Sequence, residues 1–341
     1  MPGTSAAAGR LPAELRAGPE LMLAKSAARL PGAAALPGGT RYEPKMDGFR
    51  VAATLDEETV TLWSRQGKNL TRAFPEIAEA LAEQVPPGYV LDGEVVRWDA
   101  AGRSSFDALQ RRLVAGRRIN QLVAEEPASF VVFDMLALAG IDIREQPYDT
   151  RRQLLERLAQ AWAAPLSLIA MTDDPATAGE WAVELAPNGV EGIVAKGGTQ
   201  PYRPGERGWV KHKARVTREF LAGAVTGTLT QPGDIILGAW QDGELRIVGR
   251  TAPVSRAAAR SLTPFLREPE SDHPWPDVLP STAWDRFNPR SEKRVTLVEP
   301  ITVEVSTDVA ASESGSIRHV ARFLRVRPEV DPATVTGEAP A

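Results

Sequence analysis

The chain contains no cysteine. Disulfides, a thiolate nucleophile and any cysteine-held zinc or iron–sulfur centre are therefore excluded. Histidine is nearly absent: His212, His273 and His319 are too few and too scattered for a histidine-built metal site. No apolar run approaches the ~20 residues of a membrane-spanning helix, and residues 1–16 lack the continuous apolar stretch of a secretory leader. The expectation is a cytoplasmic protein that does not engage membranes. Lysine is scarce as well, supplying only seven of the 40 basic residues. Arginine keeps its proton in proteins and cannot act as a nucleophile, whereas lysine can. Four of the seven lysines, Lys45, Lys196, Lys211 and Lys213, lie in stretches singled out below.

What is present is ordinary globular material: 341 residues, 43% hydrophobic and 25% charged, a length that suggests two domains. The net charge of −4 does not argue against a nucleic-acid partner, because local distribution decides that. Basic residues cluster at Arg111, Arg112, Arg117 and Arg118, at Arg203–Arg218, at Arg286–Arg294 and at Arg318–Arg327. Taken singly each reads as a solvated face; together they suggest one positive face.

Residues 1–18 and 329–341 read as flexible tails. Between 19 and 216, strands interleave with helices without one-for-one alternation: a strand at 41–45, a hairpin at 50–55 and 60–64, helices at 74–85, 105–114, 150–161 (Thr150 as N-cap) and 175–185, and strands at 89–98, 129–136, 190–196 and 208–214. That pattern predicts an α+β domain with antiparallel pairing. From 217 to 328 the chain is β-rich: strands at 221–229, 235–240, 245–250, 295–298, 301–307 and about 323–326, a helix at 255–266, and Asp242-Gly243 as a hairpin turn. This suits a small OB-type barrel. Residues 215–219 are the expected hinge.

The chemistry centres on Glu43-Pro44-Lys45-Met46-Asp47-Gly48-Phe49-Arg50. A lysine with its ordinary pKa of ~10.4 holds under about one part in a thousand as free amine at pH 7; nearby cations or a metal lower that cost. Lys211 and Lys213 are two apart on a predicted strand and share a face with Trp209, as a phosphate site would need. Lysines guarding an edge strand would look the same. Asp92 and Glu94 are likewise two apart, and Glu191 precedes an apolar run ending at Lys196. Carboxylates with phosphate oxygens suit Mg²⁺. Phe133 ends a buried run and reads by itself as core more readily than as a base-stacking platform.

Lys45-Met46-Asp47-Gly48-Phe49-Arg50 resembles K-x-D-G-x-R, the adenylation motif of the covalent nucleotidyltransferases. Ser64-Arg65-Gln66-Gly67, Leu91-Asp92-Gly93-Glu94, Val132-Phe133-Asp134, Val190–Lys196 and Trp209–Lys213 follow in order. With Phe133–Leu155 and Tyr202-x-x-Gly205-x-Arg207, residues 19–328 resemble the ATP-dependent DNA ligases, most closely the short stand-alone repair ligases of actinobacteria. The resemblance implies ATP as AMP donor, Mg²⁺ with Mn²⁺ as an alternative, nicked duplex DNA as substrate, bacterial repair proteins as partners and a monomeric enzyme. It implies Lys45 as the nucleophile, with Asp47, Lys211 and Lys213 catalytic. Glu43 and Phe133 would hold adenine and Arg50 ribose. Arg65 would hold the nick's 5′-phosphate, with Lys196 and Arg207 also in the nucleotide site. Glu94, Glu191 and Asp92 would hold metal, and Arg318, Arg325 and Arg327 would orient pyrophosphate. Met46 departs from an aromatic common among relatives, and the C-terminal stretch lacks the Asp-Lys ending of many ligases, so the acting arginine there is open. A guanylyltransferase or RNA ligase would share the lysine chemistry, and a non-catalytic DNA-binding scaffold is the alternative of another class. NAD⁺ as donor fits poorly with a chain that has no cysteine.

Overall fold

The computed structural model describes residues 10–57, 59–100, 102, 104–213, 215–270, 272–280, 292–308, 317 and 320–337. The chain divides into two compact units, Met1–Ala214 and Arg215–Ala341. No helix among the described residues is long and apolar enough to cross a membrane.

The first unit is built on two sheets. One has the order β1-β10-β9-β2, from Ala24–Ser26, Trp209–Lys213, Val190–Gly197 and Thr40–Met46. The other has the order β4-β3-β5-β6-β7, from Val60–Ser64, Phe49–Leu55, Tyr89–Val96, Ser129–Leu138 and Ile141–Asp142, with β8 (Leu166–Leu168) beside β6. Pairing is mostly antiparallel, but β1 runs parallel to β10 and β8 parallel to β6. The sheets are therefore mixed, not purely antiparallel as expected. Both parallel additions are three-residue strands, too short to announce themselves by alternation.

Alternation explains how each sheet is used. Along β2, Tyr42 joins Ile193 and Ala195 of β9 in a cluster with Ala178 and Ala182 of α6 (Pro175–Glu184). Asp174 caps that helix by accepting from the amides of Ala176 and Thr177. The odd residues of β2, Glu43 and Lys45, lie on the opposite face. The second sheet packs Val51, Leu62, Leu91 and Phe130 against Phe74, Ile77 and Leu81 around α2 (Pro75–Gln84) and Leu155 of α5 (Tyr148–Ala159). A third cluster, Leu11, Leu15, Met22, Val90, Leu136, Tyr202 and Trp209, joins residues of both sheets to the N-terminal segment.

That segment corrects the expected tail. Ala13–Arg16 is a helical turn, α1, with Leu15 fully buried and Leu11 nearly so. Two leucines among prolines and alanines anchor it. The far end behaves alike: Pro332–Thr334 forms a turn, Val335 is buried, and Thr336 bridges to Trp240. Helix α5 starts at Tyr148 with Pro147 in the N-cap position, not at a Thr150 cap. Helix α3 (Phe106–Leu113) has Ser105 as its N-cap, and α4 (Ile119–Glu125) follows it.

The second unit is a five-stranded antiparallel sheet of order β13-β12-β11-β16-β17, from Glu244–Arg250, Pro232–Gln241, Arg215–Gly227, Thr296–Asp308 and Arg322–Val326. Asp242 and Gly243 both have positive φ, 52° and 79°, at the β12–β13 turn. The two strands expected around Pro300 are one: β16 passes through an irregularity at which Ala222 and Ala224 pair with Ile301 and Leu297, so the proline owes the ladder no N–H. Residues 215–219, expected as a hinge, are paired in β11 with residues 304–308. One face packs Val225, Ile235, Leu237 and Val303 against Leu262 of α7 (Arg256–Leu262). The other is covered by Trp275, whose indole donates to Leu245 O at 2.7 Å and lies where a Cβ on Gly223 or Gly238 would be 2.6–2.7 Å from its ring. The short strands Val278–Pro280 (β14) and Glu292–Arg294 (β15) pair with each other.

The most deeply buried ion pair of the first unit is a fork. Arg151 grips Asp134 through Nε and Nη2 at 2.8 and 2.9 Å, with neither side chain exposed. Burial alone would raise the Asp134 carboxyl; Arg151, then Lys196 and the Met135 amide, hold it below the usual range. Its stabilising contribution is thus present above the unfolded pKa of ~3.9 and lost as pH falls through the lower folded value. Asp134→Asn, which leaves Arg151 buried without a counter-charge, is expected to lose about 3–5 kcal/mol at pH 7 in urea unfolding, the gap to the parent narrowing below pH ~4.

Candidate active site

The face of the first sheet opposite α6 carries three amines in register. Lys45 and Lys213 both pair with Gly192, and Glu43 and Lys211 both pair with Val194. Lys45 and Lys213 therefore flank β9 in one cross-strand row, with Glu43 and Lys211 in the next. Strict alternation would turn Glu191 the other way, towards Ala178 with Ile193. It does not, because Glu191 is the extra residue of a β-bulge: Lys45 pairs with Gly192 and Met46 with Val190. A bulge re-aims a side chain, and here it brings the Glu191 carboxylate onto the amines. Its Oε2 lies 2.5 Å from Lys45 Nζ and 3.3 Å from Lys213 Nζ. Burial, then the neighbouring charges of Lys45, Lys213 and Arg207, press the Lys211 amine below its usual value.

Glu43 is buried behind the nucleophile candidate. Tyr148 Oη donates to its Oε1 at 2.5 Å, Lys196 Nζ sits 2.8 Å from Oε2, and Arg152 Nη1 is 3.8 Å from Oε1. Lys196 also donates to Phe133 O at 3.0 Å and lies 4.4–4.9 Å from the ring centres of Trp209, Phe133 and Tyr148. It is 1% exposed, an ammonium in an aromatic cage. Phe133 is the extra residue of another bulge, since Asp92 pairs with Asp134 and Gly93 with Val132. Its half-buried ring meets Trp209 edge-on at 6.1 Å.

Arg50 and Asp92 meet in a fork. Asp92 was expected beside Glu94 as a metal ligand. Instead its fully buried carboxylate accepts from Arg50 Nε and Nη2 at 3.0 and 2.7 Å and from Tyr202 Oη at 2.7 Å. A carboxylate forked by arginine and capped by tyrosine is committed to them. Arg50 is further fixed by Met22 O at 2.6 Å and by the rings of Phe133 and Trp209, 5.5 and 5.1 Å away. Tyr202 and Tyr148 are positioning groups that spacing alone does not reveal.

Glu94 pairs with Arg50 across β3 and β5. Burial pushes its carboxyl up to about 7 against the pull of Lys45 and Arg50, with Asp92 and Glu191 adding to the rise. Among the described residues no group of three or more His, Asp or Glu side chains could hold a metal alone. Asp47 is half-buried, and its amide donates to Gly189 O at 2.9 Å. Gly48 is required by close approach: a Cβ would lie 2.1 Å from Val95 O. Arg207 is exposed, with Nη1 3.3 Å from Ala24 O. Arg65 is exposed in the turn after the edge strand β4. Arg325 pairs with Glu304, and Arg327 lies 2.7 Å from Glu219. Arg318, Arg286 and Arg290 lie outside the described residues.

A lysine nucleophile candidate beside two further lysines, with an aromatic ring and buried carboxylates behind it, suits transfer of a nucleotidyl group. Residues 21–213, more than half of the chain, match the family model described as the ATP dependent DNA ligase domain. The chain belongs to the ATP-dependent DNA ligase family. It is a DNA ligase. It is 35% identical over 332 residues to DNA ligase C1 of Mycolicibacterium smegmatis, covering 93% of this chain and 92% of that protein. It is 30% identical over 309 residues to the multifunctional non-homologous end joining DNA repair protein LigD of Mycobacterium tuberculosis, covering 87% of this chain but 37% of that protein. A solved Lig E DNA ligase structure shares the fold, with a TM-score of 0.50 at 18% identity, covering 90% of this chain and 99% of that one.

In this ligase the backbone between Lys45 and Arg50 can follow its path only because residue 48 has no side chain. Gly48→Ala must push the strand entry away from Val95 O, displacing Lys45 and Arg50 together. A shift of about 1 Å at reacting groups costs on the order of 100-fold in rate. Single-turnover labelling with α-labelled ATP should show that loss, with the far-ultraviolet spectrum of the protein unchanged.

Proposed function

We propose that this ligase seals 3′-hydroxyl/5′-phosphate breaks in duplex DNA through a covalent adenylate on Lys45. The observation that carries the assignment is the convergence of Lys45 and Lys213 on the bulged Glu191, with Lys211 in the adjoining row. Lys45 Nζ attacks the α-phosphorus of ATP and pyrophosphate leaves. The 5′-phosphate of the break then attacks that phosphorus, releasing the lysine and forming an adenylated DNA end. The 3′-hydroxyl attacks the DNA phosphorus and AMP leaves, closing the phosphodiester.

Each side chain has a part in offsetting charge, the main demand in phosphoryl chemistry. Lys211 and Lys213 hold the α-phosphate beside Lys45. Phe133 stacks on adenine, Glu43 and its backbone line the base pocket, with Lys196 holding the Glu43 carboxylate in place. Arg50 meets the ribose from a fixed position. Asp47 fixes the loop leaving the nucleophile, Arg207 adds charge near Lys211, and Arg65 takes the 5′-phosphate. Among Arg318, Arg325 and Arg327, one assists pyrophosphate departure.

Glu94 and Glu191 suit Mg²⁺, with Mn²⁺ as an alternative, because Mg²⁺ is usually held by one or two carboxylates together with substrate phosphates and waters. The cation would supply charge neutralisation at the transferring phosphoryl group. Asp92 is left out of this set, being committed to Arg50.

The second unit is read as an OB fold. Its strand order β13-β12-β11-β16-β17, a helix before the fourth strand of that sheet and a parallel bridge from Thr251 to Ala321 that links the two ends support a closed five-stranded barrel. The reading extends to a cytoplasmic monomer acting in DNA repair, as the name of the LigD relative suggests, and gripping duplex backbone without sequence preference.

Label transfer tests the assignment. With Mg²⁺ and α-labelled ATP, GTP or NAD⁺, the denatured protein should carry label from ATP alone, and nicked duplex should chase it off. Lys45→Ala should reduce labelling to background. Label from GTP, or label that only RNA ends discharge, would move the substrate assignment to the capping or RNA-ligase type, and label surviving in Lys45→Ala would remove the nucleophile.

A further inference from the structure

The first arginine cluster, at Arg111–Arg118, takes no part in the site above. The structure divides it. Arg112 is an anchor: it is buried, its Nη1 lies 2.8 Å from Glu76 Oε1, and it donates to the carbonyls of Glu126 and Ala73. Arg111 is exposed and spans both oxygens of Glu126 at 2.8 and 2.9 Å. Arg117 and Arg118 are exposed and make no ion pair among the described residues. Between these pairs stand Leu113 and Val114, 47% and 85% exposed.

This corner joins α3 to a short turn at Gly116–Arg118 and then to α4. Its base is held by Arg112 and by Ala108 and Leu109, both buried. The apolar pair is thus presented on a rigid support, so little conformational freedom would be lost on docking. Two exposed aliphatic side chains beside two unpaired arginines form an apolar ridge with a cationic border.

The place of the corner favours nucleic acid as its occupant. The start of α3 adjoins the nucleophile loop: Ser104 Oγ lies 3.5 Å from Asp47 O, and the rings of Phe106 and Phe49 are 4.8 Å apart. From there α3 carries the chain about 12 Å at 1.5 Å per residue. At 3.4 Å per step that is roughly three to four base pairs. A duplex whose broken strand reaches Lys45 therefore has its flanking base pairs within range of the corner. Minor grooves accept apolar wedges between walls of phosphate that arginine borders.

We propose that the corner Leu113–Arg118 is a contact surface for the duplex flanking the strand break, with Leu113 and Val114 in the minor groove and Arg117 and Arg118 on the bordering phosphates. The proposal rests on Lys45 as the site at which the DNA end is joined. A protein partner is the competing occupant.

Binding of nicked duplex is measured over a salt series in the full chain carrying Lys45→Ala, so that affinity does not depend on adenylation. Arg117→Ala with Arg118→Ala should weaken binding more than tenfold at ~0.1 M salt and reduce the slope of log K against log salt by about 2. Leu113→Ser with Val114→Ser should weaken binding about five- to tenfold and leave the slope unchanged. With Lys45 intact, both double variants should label from ATP like the parent, which also shows that they fold, and should seal nicks more slowly at subsaturating DNA. Unchanged affinity and slope in both overturns the proposal and leaves the corner to a protein. Loss confined to the arginine variant overturns the groove contact. If the parent takes no label from ATP yet binding still depends on the corner, the lysine assignment fails and the DNA surface stands.

Discussion

Amines gathered on one face of a sheet repel each other unless something of opposite charge stands among them, and in this ligase that something is Glu191. Lys45 and Lys213 reach it from the strands on either side of β9. Without it the row would cost stability with every added positive charge; with it the row persists, ready for phosphate. A row of amines that needs a carboxylate among them is also one suited to a phosphate group. The bulge is what allows this. It inserts one residue into β9 opposite β2 and turns an acid that alternation would send towards α6 into the counter-ion of the site.

Behind that row the chain uses its charges differently. Arg50, Arg112, Arg151 and Arg152 are tied to acidic or carbonyl partners in buried or half-buried positions, where a planar fork with five donors satisfies a carboxylate from two directions. Lys45, Lys211 and Lys213 remain partly open, with a compact charge on a flexible stem. Lys196 breaks the pattern: it is the most buried of the four singled-out lysines and serves as a strut between Glu43 and the Phe133 carbonyl. The four lysines singled out by their scarcity do gather on one sheet, and exposure separates Lys45, Lys211 and Lys213 from the buried Lys196.

Much of this was legible because it depends on spacing. A two-residue period placed Lys211 beside Lys213, and the proline and glycine punctuation located most helices and hairpins. What escaped was geometry that spacing does not encode. Neither bulge, at Glu191 or at Phe133, has a residue signature. Asp92 and Glu94 share a strand, and period alone made them a pair of ligands; only the tertiary approach of Arg50 and Tyr202 separates their roles. The tails were misjudged for a related reason. Composition averages over a window, whereas Leu11, Leu15 and Val335 each fill one specific hollow.

The N-terminal segment shows why that error matters for function. The family match begins at residue 21, yet Leu11 and Leu15 ahead of it are already buried. Leu11, Leu15 and Met22 fill the space between Val90 and Leu136 of one sheet and Trp209 of the other. Met22 O then fixes Arg50, Met22 N accepts no such role but donates to Tyr202 Oη, and β1 extends the first sheet beside the strand that carries Lys211 and Lys213. The segment thus packs behind Arg50 with a few apolar side chains and backbone bonds. The two sheets meet through it, and the position of Arg50 relative to Lys45 depends on a carbonyl that precedes the motif by more than twenty residues.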